Sequence, residues 1–169
     1  MMNRTAKLVL TSSALFLAFF VGRPDTAQAV GITSNVTVTT HVTRACSISA
    51  ATLAFPDYDP SSTTDTTGSG TLGFQCTTGV NPTIDLGNGL SPAGGNRGMA
   101  NGTNILQYQI HSVSSAGAVW GTGFAGGGTV SATGLGSPAT VTMFGTIPLG
   151  QTSVIAGLYQ DTVVATLNF

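Results

Sequence analysis

From Ile32 the chain alternates: Ile32, Ser34, Val36, Val38, Thr40 and Val42 fall on one face, and Thr33, Asn35, Thr37, Thr39, His41 and Thr43 on the other. A period of two marks an extended strand, because successive side chains point to opposite sides. The same alternation recurs along the chain, and no stretch after Ala29 holds a 3.6-residue apolar period over ten residues. Further strands are predicted over residues 46–55, 70–77, 82–86, 105–113, 129–133, 139–147 and 162–169. Turn signals separate them: Asn88-Gly89, Gly94-Gly95, a Ser/Thr/Asp/Gly run over 61–70 and a Gly-rich stretch over 121–128. Seven or eight short strands at this spacing predict an all-β chain folded as an immunoglobulin-like β-sandwich. A closed barrel is the other architecture that fits.

The N-terminus follows a different rule. Arg4 and Lys7 precede an apolar run over 8–21, and the following RPDTAQA ends in the small-x-small triplet Ala27, Gln28, Ala29. That is the pattern of a secretory signal peptide over residues 1–29, cleaved after Ala29. The apolar run is shorter than the ~20 residues needed to span a bilayer, so no membrane span is expected in the mature chain.

Charge then sharpens the picture. Charged residues make up 7% of the chain, where about a quarter is ordinary for a soluble domain. After Ala29 the cations are Arg44 and Arg97 and the anions Asp57, Asp59, Asp65, Asp85 and Asp161, with no Lys or Glu. Thr and Ser hydroxyls supply most of the outward polar positions. A net charge of −1 leaves no basic footprint for nucleic acid or anionic lipid, so no nucleic-acid partner is expected.

The two cysteines, Cys46 and Cys76, form an even set in an exported chain, the setting that favours a disulfide. Such a bridge is worth roughly 3.5 kcal/mol in the chain-entropy model. Two buried free thiols are the alternative. His41 and His111 stand at no zinc-binding interval from them.

Candidate chemistry is sparse. Gly68, Gly70, Gly73 and Gly121, Gly123, Gly126 both spell G-x-G-x-x-G, but neither run lies between a strand and a helix that could hold a pyrophosphate. Asp57, Asp59 and Asp65 share a polar loop, yet the twelfth position from Asp57 is Gly68 and not a bidentate Glu, so the loop reads as a structural turn. His111 continues the face of Gln107 and Gln109 and reads as a surface side chain. No nucleophile elbow and no paired-carboxylate signature is present, so no enzymatic activity, cofactor or metal is expected. The sequons at Asn35 and Asn101 arise readily by chance in a Thr-rich chain.

Several segments resemble one family. They are T-R-A-C-S-I-S at 43–49, F-P-D-Y-D-P at 55–60, F-Q-C at 74–76, Arg97-Gly98-Met99, L-Q-Y-Q-I at 106–110 and Trp120-Gly121. The most specific are F-G-T-I-P-L-G-Q at 144–151 and G-L-Y-Q-D-T-V-V-A-T-L-N-F at 157–169. In order and spacing, residues 31–169 resemble the spore coat protein U domain, shared with subunits of archaic chaperone-usher pili. Pro56 departs from the family's usual Gly, which touches the local turn alone.

The resemblance implies a sandwich lacking its last strand, over residues 45–169, with a hydrophobic groove beside the C-terminal strand. Val163, Ala165, Leu167 and Phe169 would face that acceptor groove. Residues 30–44 would be a donor strand, with Ile32, Val36, Val38 and Val42 entering the groove of a neighbouring subunit. The alternative is an ordinary edge strand paired within its own subunit. The implied partners are a periplasmic chaperone, an outer-membrane usher and identical or homologous pilus subunits. The implied route runs through the periplasm to a cell-surface pilus that supports adhesion and biofilm formation. A self-sufficient secreted β-sandwich that recognises carbohydrate or a surface through its 57–70 or 120–128 loops, and a coat protein deposited on spores, are the competing functions.

Overall fold

The computed structural model describes residues 28–169. Nearly all of the expected signal peptide lies outside the described residues. The chain divides into two units, one ending at Thr39 and the other running from Thr40 to Phe169. In the first, residues 28–39 are exposed and unpaired in any sheet.

The second unit is built from nine strands. They are β1 (Cys46–Ile48), β2 (Leu53–Ala54), β3 (Thr66–Cys76), β4 (Thr83–Leu86), β5 (Arg97–Asn101), β6 (Asn104–His111), β7 (Val130–Ser131), β8 (Ala139–Ile147) and β9 (Ala165–Asn168). No helix occurs among the described residues. One sheet has the order β1-β3-β8-β6-β5, with β2 also on β3, and the other has the order β7-β4-β9. All named pairings are antiparallel. Two sheets packed face to face make this a sandwich of immunoglobulin type and exclude the closed barrel.

Alternation fixes which side chains enter the core. On β3 the inward set is Leu72, Phe74 and Cys76, on β4 Ile84 and Leu86, and on β8 Met143 and Ile147. Leu106, Tyr108 and Ile110 add the inward face of β6. Trp120, beyond β6, is fully buried and donates its indole N–H to the Ile84 carbonyl at 2.8 Å. Such satisfied burial is what allows an indole to sit in a core.

Residues 32–42 pair with nothing among the described residues, and their side chains are exposed, Ile32 at 94%. Other elements differ from the strands expected. The stretch 46–55 breaks into β1 and β2. The stretch 162–169 becomes regular at Ala165. Residues 66–70, read as part of a turn, open β3, and β5 was not anticipated. Gln109, read as outward, is buried.

Candidate functional site

The feature that positions everything else is the edge shared by the two sheets. β1 and β2 lie on the outer side of β3, and β9 pairs with β4 in the opposite sheet. Between them runs a groove of about 920 Å³. One wall is the segment 48–58, the other the segment 157–165, and Leu72, Leu86, Met99, Ile110 and Met143 form an apolar floor. Among the described residues no strand pairs β2 with β9 across this groove, and open strand edges of this kind template strand addition.

The first wall is held by covalent and backbone constraints. Cys46 and Cys76 are directly opposed in the β1–β3 register and joined by the expected disulfide. Beyond Ile48↔Phe74 the pairing resumes at Leu53↔Gly70, so the four residues 49–52 stand opposite the three residues 71–73. That is a β-bulge, which bends the wall and re-aims the residues beyond it. Past β2, the Phe55 ring lies directly over Gly145 of β8, where a methyl group would overlap it. Tyr58 then secures the end of the wall, its hydroxyl donating to the Pro148 carbonyl at 3.2 Å and accepting from the Gln151 N–H at 2.9 Å.

The second wall is held by a short bridge and a carboxylate. Gln160 and Ala100 exchange main-chain hydrogen bonds at 2.8 and 3.1 Å, tying the segment to β5. Asp161 accepts from the Leu90 N–H and the Thr162 N–H, each at 2.8 Å, and from the Tyr108 hydroxyl at 2.7 Å. Burial, and then the bond to Asp161, push the Tyr108 phenol well above its ordinary value, so it stays a hydrogen-bond donor.

The structure distributes the four groove residues expected from the sequence. Val163 and Ala165 line the groove. Leu167 packs against the core, where it pairs with Ile84, and Phe169 lies beyond β9 and is 53% exposed. Ile32, Val36, Val38 and Val42 are all exposed. The floor residues, Phe55, Tyr108 and Asp161 were not anticipated as groove residues. The one sequence signal for them is the L-Q-Y-Q-I alternation, which puts Tyr108 and Ile110 on one face.

The remaining candidate chemistry is absorbed by structure. Asp59 accepts from the Ser61 hydroxyl and N–H at 2.7 and 2.8 Å, and those bonds hold its carboxyl below the usual value. Asp65 accepts from the Leu149 N–H at 2.9 Å. His111 Nδ1 is bonded to the Gly117 carbonyl at 2.8 Å. The first glycine run lies within β3 and the second forms a loop. Among the described residues no three His, Cys, Asp or Glu side chains gather to hold a metal, and no helix is long and apolar enough to cross a membrane.

Comparison with known proteins places this architecture. Residues 32–166 match the model of the Spore Coat Protein U domain. Protein U of Myxococcus xanthus is 37% identical over 183 aligned positions, covering 98% of each chain. Among solved structures, a chain from the CsuC–CsuE chaperone–tip adhesion subunit pre-assembly complex of the archaic chaperone-usher Csu pili of Acinetobacter baumannii superposes with a TM-score of 0.55. It is 26% identical over 76% of this chain, which spans 40% of that chain's length.

Proposed function

Because the chain belongs to the spore coat protein U domain family, we propose that it is a structural subunit whose working state is a polymer: a surface pilus assembled by donor-strand complementation. The observation that carries this reading is the open groove, together with an alternating, unpaired segment in the same chain. An apolar groove between strand edges favours aggregation unless a strand fills it. Residues 30–44 are the strand this chain can offer, with Ile32, Val36, Val38 and Val42 on its apolar face. At ~1.5–3 kcal/mol for each side chain buried, four of them contribute roughly 6–12 kcal/mol before ordering costs.

On this reading the donor comes from another copy. Only residues 43–45 separate Val42 from β1, so a return beside β1 would need a tight hairpin there. Thr43, Arg44 and Ala45 include no Gly, Asn or Asp to supply the positive φ such turns require. Head-to-tail donation does not close, and repetition gives a fibre.

In transit a periplasmic chaperone lends the groove a strand, and an outer-membrane usher exchanges it for that of the next subunit. The likeness to a chain of a chaperone–subunit complex supports the first of these partners. The finished pilus serves adhesion and biofilm formation. Deletion of residues 32–42 tests the reading: the variant should accumulate as a chaperone-bound monomer that accepts a strand but donates none. Fibres of normal length from that variant would overturn it.

A second reading keeps the same assembly step and changes its destination. The family model that matches is named for a spore coat protein, and on this reading such subunits build a coat. Immunolabelling of vegetative cells and spores separates the two.

A further inference from the structure

One side chain touches both walls of the groove. Tyr108 rises from β6 and is 4% exposed. Its ring meets Phe55 of the first wall edge-on, with centroids 5.9 Å apart at 75°. Its hydroxyl donates to Asp161 of the second wall at 2.7 Å. Both contacts are anchored: Phe55 lies on the Gly145 backbone, and two main-chain N–H groups fix the Asp161 carboxylate.

On the reading of the groove as the seat of an incoming strand, we propose that Tyr108 is the positioning residue that holds the two walls one strand-gap apart and thereby selects the donor's side chains. The walls take their backbone bonds from different sheets, β2 from β3 and β9 from β4. A strand inserted between them needs two hydrogen-bonding spacings of about 4.8 Å each. A rigid aromatic tied at both ends sets that distance more firmly than aliphatic side chains free to change rotamer. It also limits the space above it. β-branched aliphatic residues, the type found at Ile32, Val36, Val38 and Val42, fit such a gap, and an aromatic side chain overfills it.

The test uses the processed full-length chain, unfolded with its disulfide intact and diluted to nanomolar concentration into a labelled synthetic peptide of residues 30–44. Capture is compared with that of four peptides carrying Phe at position 32, 36, 38 or 42. Each comparison is a ratio within one protein preparation, so the fraction that folds cancels. The native peptide should be preferred by about tenfold at one position at least, the discrimination typical of a misfit group in an apolar pocket. Tyr108→Phe keeps the ring and loses the bond to Asp161; it and Asp161→Ala should each narrow that preference several-fold, and the double variant should narrow it no further. Thr122→Val loses a hydroxyl bonded to Asp85, away from the groove lining, and should leave the preference intact. An unchanged preference in Tyr108→Phe, an additive double variant, or equal narrowing in Thr122→Val overturns the proposal. If the wild-type chain captures no peptide, the reading of the groove as a strand seat fails, and this inference with it.

Discussion

The Arg97 guanidinium donates to the Trp120 carbonyl at 2.7 Å, joining the edge strand of the larger sheet to the segment that caps the core. The same group reaches the Leu86 and Gly87 carbonyls at 3.0 and 2.8 Å and the Gln109 side chain at 3.1 Å, and it sits 4.6 Å from the Phe124 ring centroid. Arg97 is 0% exposed, and none of these hydrogen-bond partners is a carboxylate. Burial lowers its pKa, while Tyr108, Asp161 and Asp85 act in the opposite sense. A planar fork with five donors suits this position, because the carbonyls lie on separate segments.

Arg97→Met should therefore lower the unfolding free energy by about 3 kcal/mol or more, since it strands several buried acceptors at once. Arg97→Lys should recover little of the loss, because an ammonium cannot reproduce the fork. Urea midpoints of the three proteins check both statements. A loss below about 1 kcal/mol for Arg97→Met would show that water replaces the guanidinium.

This position also shows what the sequence could and could not reveal. β8 was legible at both ends, because Ala139–Ile147 alternates cleanly between core and the opposite face. β5 was not: R-G-M-A-N has no alternation, since Arg97 and Gly98 are both buried and the strand is held by the partners of one long side chain. The first residues of β3 read as a turn because they are Thr, Gly and Ser. Gly68 and Gly70 are there because β2 and the residue before it cross so closely that a methyl group would overlap the Ala54 carbonyl at the first and the Thr52 carbonyl at the second. Gln109 read as a surface residue and instead serves Arg97. The groove walls were legible as apolar alternation near Val163 and Ala165. The floor was not, because which strands stand beneath a missing one is a property of sheet order, and periodicity carries no information about that.

The disulfide should matter more for the groove than for the rest of the fold. β1 is three residues long, and the Cys46–Cys76 pair opens its register with β3. Replacing both cysteines by Ser should cost about 3–4 kcal/mol in the chain-entropy model for a loop of this size. Amide exchange of Ser47 and Ile48 should accelerate beyond that of Leu72 or Ile147. Uniform acceleration across both sheets would show that the bridge stabilises the sandwich and not the wall.

If residues 30–44 act as the donor, one charge on the apolar face should stop assembly while leaving the acceptor side intact. Val38→Asp should abolish polymer ladders, because an unpaired carboxylate cannot enter an apolar groove without a large desolvation cost. Thr37→Asp, on the opposite face, should leave them nearly unchanged. Mixed with wild-type subunits, Val38→Asp should cap chains and shorten fibres. Ladders of normal length from Val38→Asp alone would remove this segment from the assembly step.

Acid stability should be governed by Asp85. Partial burial raises its pKa, but the Thr122 hydroxyl and N–H, at 2.5 and 2.9 Å, together with the Leu86 N–H and Arg97, outweigh this and leave it below 3.8. A carboxyl depressed in the folded state contributes stability that is complete above its unfolded pKa and is lost as pH falls through the folded one. The urea midpoint should hold steady down to about pH 4 and then fall, and the fall should be shallower in Asp85→Asn. An identical slope in the variant would assign acid sensitivity elsewhere.

The opposite limb belongs to Tyr108. Its phenol is raised above 10.0, first by burial and then by Asp161, so the folded chain keeps this proton while the unfolded chain releases it. Stability from this group is complete below the unfolded value and declines as pH rises above it. Between about pH 10 and 11.5, a range that begins at the ordinary phenol pKa, the urea midpoint of the wild-type chain should drop. Tyr108→Phe should start lower at pH 7, having lost one hydrogen bond to a carboxylate worth about 1.5–3 kcal/mol, yet decline less over that range. The curves of the two proteins should therefore converge at high pH. Parallel curves would show that the Tyr108 hydroxyl ionises in the folded chain as freely as in the unfolded one, which a phenol enclosed between Phe55 and Asp161 does not do.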